Sequence, residues 1–281
     1  MRSSGHKVFL ALTLLYGSTR AAAQQKDNFP LISYLHSNIV GDDYKISVAL
    51  PAGYNASHSS YPVLYVTDAN TNFTTAAQVI KRMTQNKELP PMIVVGIGYR
   101  TDSLAKLLRL RDMTPDHDPS IRRSHAGRSA FFLRFIKEEL MPFVRQHYRA
   151  SSDAGYTGMA IGGVFGLYVL FHEPEIFHRY LIASPSIWYD SSVIFKYEQE
   201  YARTHHDLPA RLYLSVGGRE ESEANFTHME TNLKQLEAII SSRHYPSLRL
   251  RTQLLDGETH FTVYPVALSH GLREIYPEKK R

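Results

Sequence analysis

Short runs of apolar, β-prone residues recur along this chain with helix-length stretches between them. That alternation constrains the fold more than any other feature. Pro62–Thr67 (PVLYVT) and Met92–Gly98 (MIVVGIG) are apolar almost throughout. A strand with one wet face alternates apolar and polar residues; runs this uniform suit strands covered on both faces, as in a mostly parallel sheet. Tyr44–Leu50 (YKISVAL) does alternate, and it stops at Pro51-Ala52-Gly53. Ala154–Thr157, Tyr180–Ala183, Arg211–Val216 and Leu248–Leu255 give further strands. Helices are expected over Thr75–Gln85, Arg128–His147, Gly162–His172, Glu221–Ser241 and Val263–Ile275. In the second of these, Phe131, Phe132, Phe135, Ile136, Leu140, Phe143 and Val144 form a helical stripe that reads as core, not as a cofactor box. Strands alternating with helices predict an α/β fold, a mostly parallel, doubly wound sheet flanked by helices. The polar Asp112–Ser124 stretch predicts a surface loop. No internal repeat or low-complexity linker divides the chain, so residues 24–281 read as one domain.

The first 23 residues read as an export signal. Arg2, His6 and Lys7 precede the apolar run Val8–Tyr16, and Ala21-Ala22-Ala23 offers a small-residue cleavage site. The run is about half the ~20 residues that a membrane span requires. The mature protein is expected to start near Gln24, to have no membrane span, and to be periplasmic or secreted. The chain has no cysteine, which excludes disulfides, thiolate metal ligands and a cysteine nucleophile. That absence suits a bacterial periplasm better than a eukaryotic extracellular space. The net charge of +5 is spread over residues such as Arg100, Arg109, Arg111, Arg122, Arg123 and Arg128. For most of these a solvated basic face is the first reading; no aromatic-interleaved basic motif points to nucleic acid, so among functional readings an anionic small ligand is the better one.

Chemistry concentrates at Tyr156–Gly163, a G-x-A-x-G-G frame between a strand and an apolar helix. The nucleophile elbow of α/β-hydrolases, G-x-S-x-G, occupies that context. Small residues must flank its tight turn, and the central side chain is lifted to the head of the helix. There the next backbone N–H and the helix dipole stabilise an oxyanion. The central residue here is Ala160, and no Ser lies within the turn. Two later strands are followed by Gly217-Gly218-Arg219-Glu220-Glu221 and by Asp256-Gly257-Glu258-Thr259-His260. Acid and then histidine, each after a late strand, match the chain order nucleophile, acid, base of an α/β-hydrolase fold.

Over nearly all of its mature length the chain resembles the bacterial putative-esterase family, which includes the enterobactin and salmochelin (ferric siderophore) esterases, with esterase D more distant. The resemblance runs through HSNIVGDDYKISVALP from His36, YPVLYVTDAN from Tyr61, ELPPMIVVGIGYR from Glu88 and LRDMTP from Leu110. It continues in YLIASPSIWYD from Tyr180, SVGGREE from Ser215 and DGETHFTVYPVALSHGL from Asp256. It implies His260 as base and Glu220, or else Glu221, as acid. It implies oxyanion donors at the Ile161 N–H and in the loop at Ala69-Asn70. Arg100 and Arg111 would line the substrate cleft, with Trp188 as an aromatic near the site; a packed core indole is an equal alternative for Trp188. The family has Ser where this chain has Ala160, and usually Gly where it has Ala69.

The implied parent activity is carboxylic ester hydrolysis, of a catecholate siderophore trilactone or its ferric complex, with no cofactor or resident metal. As written, the chain is expected to bind without turnover. Ala160 fits either a substitution made to trap substrate or a natural siderophore-binding pseudoenzyme; the intact glycines, acid and histidine favour the first. A generic acyl or feruloyl esterase is the other alternative.

Overall fold

The computed structural model describes residues 29–115, 127–222 and 228–277. The expected export signal lies outside them. Eight strands form a single sheet: β1 (Leu31–Ser37), β2 (Asp42–Ala49), β3 (Tyr61–Val66), β4 (Ile93–Tyr99), β5 (Ala150–Met159), β6 (Arg179–Ala183), β7 (Arg211–Gly217) and β8 (Arg249–Leu255). The helices are α1 (Ala69–Gln85), α2 (Asp102–Met113), α3 (Ser129–Arg134), α4 (Met141–His147), α5 (Ile161–His172), α6 (Tyr189–Thr204), α7 (Met229–Ser242) and α8 (Val263–Ile275). A π-helical segment, Phe135–Leu140, joins α3 to α4, so the predicted Arg128–His147 helix is one continuous run.

Spatial order in the sheet is β1-β2-β4-β3-β5-β6-β7-β8. The strands β1, β2 and β4 pair antiparallel. From β4 through β3 and β5 to β8 all neighbours are parallel. This is the α/β-hydrolase fold expected from the sequence. The two uniform apolar runs became β3 and β4, and both are covered on each face. Alternate residues feed two cores: Val63 and Tyr65 pack with α5, whereas Leu64 and Val66 pack with α1 and α8. Burying a side chain of this size stabilises by about 1.5–3 kcal/mol, which makes these central strands the anchor for every loop at their carboxyl ends.

Three elements were not expected: β1, α2 and α6. The predicted surface loop at Asp112–Ser124 is corrected at its start, because Asp112 and Met113 complete α2 and are fully buried. Asp112 accepts hydrogen bonds from the Tyr44 hydroxyl (2.7 Å), the Tyr99 hydroxyl (3.0 Å) and Arg111 Nε (2.6 Å). A dry carboxylate is tolerated only with such partners, and they fasten the end of α2 to β2 and β4. The rest of that loop, 116–126, lies outside the described residues. Among the described residues no helix is long and apolar enough to cross a membrane.

Candidate active site

At the end of β5 the chain turns sharply into α5. Ala160, the N-cap of α5, has φ 55° and ψ −116°. A non-glycine residue at positive φ is strained by about 1–2 kcal/mol and persists only where its surroundings impose it. They do so here. The Ala160 N–H donates to the Ala183 carbonyl, and its carbonyl accepts from Ser186 N–H, each at 3.2 Å. A Cβ on Gly158 would lie 2.5 Å from the Gly162 carbonyl oxygen, and one on Gly163 would lie 2.8 Å from Pro185 Cα. Neither backbone can yield, so the glycines of the G-x-A-x-G-G frame are required by contact. Burial pushes the Tyr156 phenol well above its usual range, keeping it a donor. It donates to the Gly162 carbonyl at 2.5 Å. Ile161 is the first residue of α5, and its N–H has no acceptor within the helix.

The acid and the histidine meet. His260 Nδ1 lies 2.7 Å from Glu220 Oε2. Glu220 is fully buried and His260 nearly so. With Nδ1–H on the carboxylate, the lone pair of the ring is on Nε2, the tautomer a general base needs. Glu220 Oε1 accepts from the Ser184 hydroxyl at 2.6 Å and from Gly217 N–H at 2.7 Å. Glu221 points elsewhere: it accepts from Glu230 N–H at 2.8 Å and from the Thr231 hydroxyl at 2.6 Å, closing the start of α7. Of the two acids, only Glu220 reaches His260. The helix expected from Glu221 begins instead at Met229.

A second strand-to-helix turn abuts the first. Asp68, the N-cap of α1, also has positive φ, at 53°. A Cβ on Gly162 would come within 2.9 Å of Thr67 Oγ1 and 3.3 Å of Asp68 Oδ2. Ala69 and Asn70 open α1, so their N–H groups also lack acceptors inside the helix. The Asn70 side chain is fully engaged in holding this turn. Its Oδ1 accepts from Tyr99 N–H at 2.7 Å, and its Nδ2 donates to the Tyr99 carbonyl at 3.0 Å and to Asp102 at 3.1 Å. Asn70 therefore offers its backbone, not its amide, to a ligand. Arg109 grips Asp68 with two parallel bonds, Nε–Oδ1 at 2.8 Å and Nη2–Oδ2 at 2.7 Å.

The expected ligand-binding residues separate. Arg111 does not present its guanidinium to the cleft. Its Nε and Nη2 donate to Asp112, and its Nη1 donates to Asp42 at 2.7 Å. That corrects its reading as a substrate contact: the charge is neutralised inside the fold. Arg100 follows β4 and is exposed, with its guanidinium over the Tyr34 ring and 3.8 Å from Asp43. Trp188 is 38% exposed, so it is not a core indole. It caps α6, two residues beyond the Ser186 N–H that holds the elbow. Sequence reasoning missed Ser184, Asp68, Arg109 and Phe261. Phe261 is 82% exposed and stands perpendicular to the His260 ring, with centroids 6.1 Å apart. An aromatic directly after the candidate base was the available signal for it.

Residues 37–272 match the family model described as Putative esterase. A "Siderophore enterobactin esterase" from Emericella nidulans is 33% identical over 268 residues, covering 82% of this chain and 88% of the relative. The "Ferri-bacillibactin esterase BesA" from Bacillus subtilis is 29% identical over 231 residues, covering 76% of this chain and 78% of the relative. Among solved structures, "Siderophore hydrolase EstB" from Aspergillus nidulans superposes with a TM-score of 0.79 at 25% identity, covering 90% of this chain and 97% of that one. Fungal proteins stand beside bacterial ones, a wider set than the bacterial resemblance implied.

Proposed function

This chain belongs to the Putative esterase family, a family of carboxylic ester hydrolases, and from that premise we propose that it recognises a siderophore ester. The observation that carries the reading is the conformation of Ala160, a strained elbow set beside an oriented His260–Glu220 pair. With Ser at position 160, its Oγ attacks the ester carbonyl. His260 Nε2 takes the hydroxyl proton and returns it to the leaving alkoxide. The N–H groups of Ile161 and Asn70 hold the tetrahedral oxyanion. A methyl group has no nucleophilic atom, so the chain as it stands binds ester without cleaving it.

The names of the relatives support a siderophore as the ester, one of them a ferric complex. Iron then arrives as part of the substrate. A ferric tris-catecholate is anionic, and Arg100, exposed just after β4, offers it a cation. Ala160 itself favours a second reading, a dedicated siderophore binder exported to the periplasm or beyond. Residues 1–23 are removed in both readings, which mass spectrometry of protein from the native host checks.

The deciding experiment is Ala160→Ser assayed on catecholate trilactones, their ferric complexes and simple aryl esters. Turnover is expected to rise by roughly a million-fold over the present chain, and adding His260→Ala is expected to abolish it. Cleavage of aryl esters alone points to a generic esterase. No cleavage of any ester, with siderophore binding retained, establishes the binder.

A further inference from the structure

We propose that Ser184 is a positioning residue for the acid of this site: its buried hydroxyl fixes the Glu220 carboxylate so that one oxygen is left to orient His260. The inference rests on the reading of His260 as general base. Glu220 and Ser184 are both fully buried. A carboxylate so placed needs hydrogen-bond donors to remain there as an anion. Its terminal torsion is soft and does not choose an orientation alone. The contacts choose it. Oε1 takes two donors, the Ser184 hydroxyl at 2.6 Å and Gly217 N–H at 2.7 Å. Oε2 is thereby turned to His260 Nδ1, at 2.7 Å.

The backbone of Ser184 adds an independent observation. Its φ is 43°, in the left-handed region that favours glycine. Glycine would suit that conformation and would remove the hydroxyl. The residue is also tied into the site on both sides. Its N–H donates to the Ser215 carbonyl of β7 at 2.7 Å, while the Ala183 carbonyl before it receives the Ala160 N–H at 3.2 Å. Ser184 thus joins the strand that leads to the acid and the turn that carries position 160. It acts on the chemistry only through Glu220.

Two variants remove the hydroxyl with opposite effects on the backbone: Ser184→Ala keeps the strained φ, and Ser184→Gly relieves it. In the Ala160→Ser background both are expected to lower kcat by about ten- to a hundredfold, at unchanged KM. In Ala160→Ser with Glu220→Ala, neither is expected to lower kcat further, because groups that act as one unit do not add. An unchanged kcat, or a loss that multiplies with that of Glu220→Ala, overturns the proposal. So does a loss in Ser184→Ala that Ser184→Gly restores, since that marks a backbone effect. If Ala160→Ser is inert, the present chain still decides the matter. The His260 Nδ1–H proton resonance, assigned through a His260→Gln control, is expected to broaden or vanish in both variants. A resonance unchanged in position and width overturns the proposal.

Discussion

Two strand-to-helix turns lie against each other in this protein; both set a residue of positive φ at the head of a helix, with ψ of opposite sign, and they are held by different means. Ala160 before α5 (ψ −116°) and Asp68 before α1 (ψ 40°) are both N-caps at positive φ, and the first N–H groups of each helix have no acceptor within it. The turn at Ala160 is held by close backbone contact: Gly158 and Gly163 packed against main chain, and hydrogen bonds from Ser186 and to Ala183. The turn at Asp68 is held by charge and amide groups: Arg109 on the carboxylate, Asn70 on the backbone of Tyr99. Contact geometry of the first kind tolerates no added atom, so it leaves a glycine pattern in the sequence. Electrostatic geometry of the second kind draws its partner from another helix, and the glycines that abut this turn, Gly96, Gly98 and Gly162, belong to other elements, so no pattern within the turn itself marks it.

The contrast is broken most severely by overfilling the first turn. Gly163→Val drives side-chain atoms into the Pro185 backbone, and overpacking plus loss of the elbow is expected to lower stability by about 3 kcal/mol or more. A guanidinium chloride midpoint well below that of the parent checks this.

Removing the charge from the second turn is expected to have a smaller effect. Arg109→Ala strands Asp68, whose side chain is 11% exposed, while that of Arg109 is 26% exposed. Breaking a fully buried pair costs about 3–5 kcal/mol; at this partial exposure roughly 2 kcal/mol is expected. With Ser at position 160, the same change is expected to lower kcat by about tenfold through the loosened donor loop, read by the same melts and by ester turnover.

A third helix start sharpens the distinction. Glu221 holds the beginning of α7 by charge in a more open setting. Partial burial pushes its carboxyl up, but the Thr231 hydroxyl and the Glu230 and Thr231 N–H groups outweigh that and bring it below the usual range. Its folded value lies under its unfolded one. The stabilisation is therefore full above the unfolded carboxyl range and fades as pH falls through the folded value. Glu221→Gln is expected to lower stability by about 1 kcal/mol at neutral pH and by much less in acid. Equal losses at both pH values, measured by denaturant titration, would contradict a charge-held start.

What could be read in the sequence follows the same division. The central strands were legible because burial on both faces leaves uniform apolar runs, and the elbow because backbone contact demands glycine. Glu220 and His260, which pair in the structure, were singled out by their order after late strands. β1 was missed because its outward residues Ile32 and Tyr34 are themselves apolar and exposed, which blurs the alternation of an edge strand. α2 was missed because its pattern is inverted: Leu104 and Leu107 face water, while Arg111 and Asp112 are buried. Arg111 was misjudged for the same reason, since a sequence does not reveal that a cation is already neutralised by a carboxylate 69 residues away. α6 was obscured by three consecutive residues, Asp190 to Ser192, with left-handed backbone at its start.

The strain at residue 160 is imposed by Gly158, Gly163, Tyr156 and Ser186, and owes nothing to the side chain that residue carries. Alanine and serine bear it alike, and their four-fold codon sets differ by a single base. On the proposed function, an ester-holding form and an ester-cutting form of this scaffold are therefore adjacent in sequence space. A lineage that carries this scaffold would then pass from holding an ester to cutting it, or back, in one mutational step, without first having to learn to fold again.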